Sequence, residues 1–287
     1  MRIFITFFIS LIFFLNVSEG NCGEREEKEF IAKGIEYNLS KIKSVICEVE
    51  VKYEGNFSEK KGKWFYQKDK ERVDVITENE EKITFINTME NTYLVGYKNE
   101  KPISITIGLG KYYIEREIAS TLSPSFIFLH LPPVDFTIYE LIEKGKVSKR
   151  EIVNGKECIK LNIPKAGKKK FTGYGKVNYS HIGYNIWFSV REGFMVKKIE
   201  VYIRGKLIME IGPVCYKKFE NDIWFPVEIP INWYSSSYSG GKLKGIVKYY
   251  NINLNAQVKE EYFLPPFVPG VKVKDIRTGK TFIVPEK

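Results

Sequence analysis

Residues Gly183–Ile229 read GYNIWFSVREGFMVKKIEVYIRGKLIMEIGPVCYKKFENDIWFPVEI, and this stretch decides the fold. Tyr184, Ile186, Phe188 and Val190 alternate with Gly183, Asn185, Trp187 and Ser189, the period of two of a strand with distinguishable faces. Arg191-Glu192-Gly193 breaks the run. The next strand sets Met195, Ile199, Val201 and Ile203 against Lys198, Glu200, Tyr202 and Arg204. Arg204-Gly205-Lys206 predicts a tight hairpin into Leu207–Ile211, with Gly205 free to take a positive φ. Phe219-Glu220-Asn221-Asp222 marks a further turn before Ile223-Trp224-Phe225-Pro226-Val227. The stretch is a meander of antiparallel strands and holds no catalytic motif.

Strands with the same rhythm fill the first half. Val45, Cys47, Val49, Val51 and Tyr53 alternate with polar residues. Further strands follow at Gly62–Gln67 (Trp64, Tyr66), Arg72–Thr77 (Val73, Val75), Lys82–Asn87 (Ile83, Phe85), Asn91–Tyr97 (Tyr93, Val95, Tyr97) and Pro102–Ile107 (Ile103, Ile105, Ile107). Polar turns such as Lys68–Glu71 and Lys98–Lys101 separate them, as in a meandering sheet or barrel. Before them, Phe30, Ile31, Ile35, Leu39 and Ile42 recur at helical spacing within Glu24–Ser44. Acids at its start favour the helix dipole, and an amphipathic helix against a sheet is expected.

The period changes at 111–144. Helical stretches are expected over Tyr112–Leu131 and a second short helix over Val134–Lys144, interrupted by Pro124 and Leu131-Pro132-Pro133. Ile114, Ile118, Leu122, Phe126, Ile127, Phe128 and Leu129 make this insertion unusually apolar. It either plugs the face of the sheet or lines a cavity there as a lid. Strands resume at Val147–Val153 and Glu157–Ile163 around Asn154-Gly155, a strong hairpin signal. A Lys/Gly/Tyr-rich loop, Lys165–Tyr179, and a Ser/Gly loop, Ser235–Gly241, flank the central meander. A long strand, Gly245–Leu254, then has Ile246, Tyr250, Ile252 and Leu254 in phase, and a last hairpin pairs Val271–Lys274 with Thr281–Val284.

Met1-Arg2 and the apolar run Ile3–Val17 are too short for a membrane span and suit a signal peptide, with small residues before a cleavage point after Gly20. The expected organisation is a signal peptide at 1–20 and one domain at 21–287, with a helical insertion at 111–144 and a C-terminal hairpin at 266–287. Glu19-Gly20-Asn21 before Cys22 does not make a lipobox, so a lipid anchor there is poorly supported. Cys47 lies on an apolar strand face, whereas Cys158 shares a face with Lys156 and Lys160. With Cys22 and Cys215 the chain has four cysteines, an undetermined pairing and no CxxC. The net charge of +10 is scattered rather than striped. Lys168, Lys169 and Lys170 are a solvated run or a contact for an anionic membrane surface. Export and the lack of a binding motif argue against nucleic acid.

The chemistry-bearing residues do not form a catalytic pattern. His130 and His181 are the two histidines, and neither belongs to an HExxH or HxH cluster. There is no GxSxG, and Gly108-Leu109-Gly110-Lys111 lacks the spacing of a phosphate loop. No catalytic residue, metal site or cofactor is expected; an enzyme would need a polar cleft, for instance around His130.

Trp187-Phe188, then Gly193-Phe194-Met195-Val196-Lys197-Lys198-Ile199, then Ile223-Trp224-Phe225-Pro226 resembles the second half of the LolA-like family, the periplasmic lipoprotein-sorting proteins with the related RseB-type regulators. The layout derived above is similar to that family's over most of the mature chain. The resemblance implies a mainly β (α+β) fold, a strongly curved, antiparallel, half-open β-barrel with an N-terminal helix and a helical lid. It implies an exported or periplasmic, monomeric, non-enzymatic carrier of a lipoprotein acyl chain or other lipid. The strand residues Trp64, Tyr66, Val73, Val75, Ile83 and Phe85, with lid residues Ile118, Leu122, Phe126 and Phe128, would line its cavity. A one-residue shift would invert that choice of face. The chain departs from the short carriers in its length, its 165–179 loop, its extra hairpin and the lack of an identifiable latching arginine. An RseB-like sensor or scaffold with a filled core is the alternative.

Overall fold

Strands dominate the computed structural model, which describes residues 23–54, 59–67, 70–76, 82–88, 90–108, 130–131, 136–166, 181–234 and 242–286. Helix α1 (Glu24–Ser40) opens the described chain. It leads into β1 (Ser44–Tyr53), β2 (Lys60–Gln67), β3 (Lys70–Ile76), β4 (Lys82–Asn87), β5 (Thr92–Lys98) and β6 (Lys101–Ile107). Next come β7 (His130–Leu131), β8 (Phe136–Thr137) and helix α2 (Ile138–Lys144). The rest of the sheet follows: β9 (Lys146–Val153), β10 (Lys156–Ile163), β11 (Ile182–Ser189), β12 (Val196–Ile203), β13 (Lys206–Ile211), β14 (Cys215–Phe219), β15 (Ile223–Trp233), β16 (Leu243–Leu254), β17 (Lys272–Asp275) and β18 (Lys280–Ile283).

Apart from the β7–β8 pair, these strands form one sheet of 16 strands, in the order β18-β17-β6-β5-β4-β3-β2-β1-β16-β15-β13-β12-β11-β10-β9, with β14 also paired to β15. Among the described residues the sheet is not closed. It is mixed rather than purely antiparallel, because β17 runs parallel to β6. The C-terminal hairpin reaches that edge after crossing the outer face, a route that brings β17 in along the direction of β6. Both hairpin turns read from Asn154-Gly155 and Arg204-Gly205 have two successive positive φ angles, as a turn matching the strand twist requires.

Period-two alternation becomes long rows across the sheet. Val147, Leu161, Ile186, Ile199, Ile211 and Ile231 stand opposite one another across β9, β10, β11, β12, β13 and β15. Leu94, Phe85, Val73, Trp64 and Cys47 do so across β5 to β1. These rows face the main core, where Ile31 and Ile35 of α1 and Ile138, Leu141 and Ile142 of α2 join them. We call this the core face. β15 extends through Pro226 and Pro230 to Trp233. Its neighbour on one side changes from β14 to β13, and Pro230, which has no N–H, stands at that changeover.

The motif residues of the central meander seat α1. Asn38 is 2% exposed; its Oδ1 accepts from the Trp224 N–H at 2.9 Å, and its Nδ2 donates to the Trp224 carbonyl at 3.0 Å and meets Met195 Sδ at 3.3 Å. Phe30 meets Phe194 edge-on at 4.7 Å. A Cβ on Gly34 would lie 2.3 Å from the Phe194 ring, so glycine permits the close approach. Helix α2 begins later than the apolar spacing predicts: Phe136–Thr137 is a strand, and Leu131, expected in a helical stretch, lies in the strand paired with it. Thr137 caps the helix, its Oγ1 accepting from the Glu140 N–H at 3.1 Å while its own N–H donates to Glu140 Oε2 at 2.8 Å. That reciprocal box fixes the start at Ile138.

The outer face differs along the sheet. Over β9–β13 it is a polar ladder, with Glu200 accepting from Lys198, Asn185 and Tyr202. There Trp187 lies between Lys160 and Lys198 and donates to Glu151 at 2.7 Å. Over β2–β4 the outer face is covered by the C-terminal segment, with Phe263 and Val258 against Phe65 and Ile86, while at the sheet edge Val271 and Val273 pack with Val95 and Ile105. Cys158 is buried although it shares a face with Lys156 and Lys160, because the turn after β11 packs against its strand; burial pushes the thiol up to about 11. Beside it the buried Lys197 donates to buried Glu192 at 3.0 Å. Cys47, Cys158 and Cys215 are free thiols.

Candidate functional site

Trp64, Tyr66, Val73, Val75, Ile83 and Phe85 all lie on the core face. Trp64, Val73, Val75 and Phe85 are buried in the main core, while Tyr66 and Ile83 are half-buried against it. The face read from alternation is thus the one α1 and α2 cover. Ile118, Leu122, Phe126 and Phe128 lie outside the described residues, as do residues 1–20, where a signal peptide is expected, Cys22 and Lys168–Lys170.

Trp64 and Tyr66 belong to an aromatic cluster where the N-terminal strands meet β15 and β16. Their rings stack at 5.6 Å; Phe225 lies 6.3 Å from Trp64 and 6.2 Å from Tyr249, and Phe219 meets Phe225 edge-on at 6.4 Å. Pairing brings these rings together: Cys47 stands opposite Trp64, and Val49 opposite both Gly62 and Tyr249.

Polar atoms are embedded in this apolar surface. The Trp64 indole Nε1 donates to Glu71 Oε1 at 2.6 Å, with both side chains buried. The Tyr249 hydroxyl is buried without a hydrogen-bond partner among the described residues. Burial, with the nearby Cys47 and Glu71 adding to it, holds the Tyr249 phenol well above its ordinary pKa. Burial likewise raises the Cys47 thiol, next to Glu48. At neutral pH both are therefore uncharged, and the phenol can donate as well as accept.

Tyr249 and Phe225 carry no site signal in the sequence, for different reasons. Phe225 sits inside the Trp-Phe-Pro motif, whose pattern predicts a strand and nothing more. In β16 the set Ile246, Tyr250, Ile252 and Leu254 mixes two faces, and Val247 and Tyr249 are the buried ones. The register against β1 shifts between Ile46 and Glu48, where β16 carries an extra residue near Asn251 at a φ of 49°. Such a bulge inverts the alternation on one side of it. Glu71 carries no sequence signal distinguishing it from the charged turn it follows.

His181 lies exposed in a turn, and His130 in the two-residue strand β7. Among the described residues no group of three or more His, Cys, Asp or Glu side chains could hold a metal ion, and no helix is long and apolar enough to cross a membrane.

No protein-family model and no curated protein matches the sequence. Solved structures do. The chain is similar to an outer membrane lipoprotein-sorting protein domain from Vibrio parahaemolyticus, at 14% identity and a TM-score of 0.47 over 81% of this chain and 97% of that one. A DUF1329 family protein from Desulfovibrio piger matches at 11% identity and a TM-score of 0.42 over 82% and 97%. The lipoprotein LppX from Mycobacterium tuberculosis matches at 8% identity and a TM-score of 0.33 over 80% and 96%.

Proposed function

We propose that the protein is an exported, non-enzymatic carrier that holds a lipoprotein acyl chain or another lipid between a half-open, curved sheet and a helical lid. The observation that carries this reading is the aromatic-lined core face, on which Trp64, Val73 and Phe85 stand in one row across neighbouring strands. The resemblance of Gly183–Ile229 to the lipoprotein-sorting family supports it. Binding would rest on burial, worth roughly 0.8 kcal/mol per CH₂, so a long acyl chain can be held without a polar motif. In this reading Trp64, Tyr66, Val73, Val75, Ile83 and Phe85 form the wall, Ile118, Leu122, Phe126 and Phe128 the lid, and Lys168, Lys169 and Lys170 meet an anionic membrane.

A second reading, an envelope sensor or scaffold with a filled core, is favoured by the burial of four of those wall residues in protein. Native mass spectrometry separates the two, using the chain purified from an exporting culture without detergent. The carrier reading expects extra mass that extracts into organic solvent as lipid or lipopeptide. A clean apo mass, unchanged after incubation with acylated peptides, would overturn it in favour of the scaffold.

A further inference from the structure

Among the described residues, three buried side-chain atoms have no hydrogen-bond partner, Gln67 Oε1 and the hydroxyls of Ser189 and Tyr249, and of these residues Tyr249 belongs to the main hydrophobic core. The Tyr249 side chain is 4% exposed, and its hydroxyl meets no donor or acceptor among the described residues. Leaving such a group unmade in a folded core is costly, and most buried hydroxyls are satisfied. This hydroxyl belongs to the ring cluster of Phe225, Trp64 and Tyr66, next to the wall of the proposed ligand site. A second polar feature of that surface is the Glu71 carboxylate, which accepts from the Trp64 indole at 2.6 Å. The phenol is a donor awaiting an acceptor, and the carboxylate beside it disfavours a second negative charge in a low-dielectric setting.

We propose that Tyr249 and Glu71 form a head-group subsite that selects acyl chains ending in an uncharged amide over those ending in a carboxylate. The amide carbonyl accepts from the Tyr249 hydroxyl, and the amide N–H is oriented towards Glu71. An anionic head satisfies the phenol equally well but brings its charge up against Glu71. The inference rests on the carrier reading and adds to it the chemistry of the ligand's polar end. Alkyl length supplies the affinity, and the Tyr249–Glu71 pair supplies the discrimination. Nothing in the sequence marks the pair, since Tyr249 lies next to a bulge and Glu71 beside a turn.

The test titrates decanamide, decanoate and decane into the full exported chain by calorimetry at pH 7.5, then repeats the series with Tyr249→Phe and Glu71→Gln. Decanamide should bind at least about fivefold more tightly than decanoate, the scale of one net hydrogen bond. Tyr249→Phe should weaken decanamide by a similar factor and leave decane unchanged, while Glu71→Gln should narrow the gap between amide and carboxylate. The comparison of the three ligands on the unaltered chain needs no variant to fold. Equal binding of all three overturns this inference alone, as expected if an ordered water serves the phenol. Decanamide affinity unchanged by Tyr249→Phe overturns it too. Binding of none of the three removes the carrier reading, and this inference with it.

Discussion

Asn38 and Tyr249 are both buried polar side chains facing the same core, and their surroundings in the two halves of the sheet serve them in opposite ways. In the half built from β9 to β15, Asn38 has both ends of its amide bonded to the Trp224 backbone and its nitrogen against Met195. In the half where β1 to β4 meet β16, the Tyr249 hydroxyl has no partner. A satisfied polar group fixes one arrangement of a core; an unsatisfied one opposes burial and is relieved by whatever can supply the missing bond. Asn38 thus belongs to the scaffold that seats α1, whereas Tyr249, among the rings of Trp64 and Phe225, sits where a ligand has something to gain. The division is by site and not by half, since the buried Ser189 hydroxyl of β11 is also without a partner among the described residues.

Three substitutions would break or sharpen this contrast. Asn38→Ala should have the largest effect, a loss of about 3 kcal/mol, because it strips partners from the part-buried Trp224 N–H and carbonyl in one step; urea unfolding measures it, and a loss below about 1 kcal/mol would remove the clamp from the account.

Asp74→Asn tests whether the second half is loosely bonded throughout or only at Tyr249. On the outer face of β3, Asp74 accepts from Arg72 at 2.7 and 3.0 Å and from Thr84 at 2.7 Å, with Lys82 at 3.4 Å. Burial raises its carboxyl, but the bonds from Arg72 and Thr84 and the charges of Arg72 and Lys82 outweigh that and hold it below the ordinary 3.8. A depressed folded value means that the stabilisation is complete above 3.8 and is lost as pH falls through the folded value. The difference between the two proteins should thus be about 2 kcal/mol at pH 7 and close progressively in acid. A gap independent of pH would contradict this assignment.

Tyr249→Phe should have the smallest effect and the opposite sign. Removing a hydroxyl that bonds to nothing should leave the ligand-free protein as stable or up to about 1 kcal/mol more stable. A clear loss of stability, read by thermal melting, would mean that the hydroxyl is satisfied in solution and that the contrast with Asn38 does not hold.

Much of the fold was legible in the chain itself. Alternation placed β1–β6 and β11–β13 within a residue or two, Asn154-Gly155 and Arg204-Gly205 fixed their hairpins, and the spacing of Ile31 and Ile35 gave α1, whereas β14 carried no clear signal and β15 runs on to Trp233, past the Val227 at which the reading stops. The six strand residues singled out as a wall do share the core face. Failures occurred where a local rule was overridden. A bulge near Asn251 reversed the face of Val247 and Tyr249. A fold-back turn buried Cys158, and a capping box at Thr137 delayed α2.

Sequence by itself determined what depends on neighbours along the chain: strand periods, turn residues, the amphipathic helix and the scattered charge. Only the tertiary structure decided what depends on neighbours in space. It joined β17 in parallel to β6 and seated Gly34 against Phe194. It also gathered Trp64, Phe225 and Tyr249 from strands far apart in the chain. The physical reason is that the backbone's period of two is set by bonding within a strand, whereas register and pairing are set by closure between segments that carry no local record of each other.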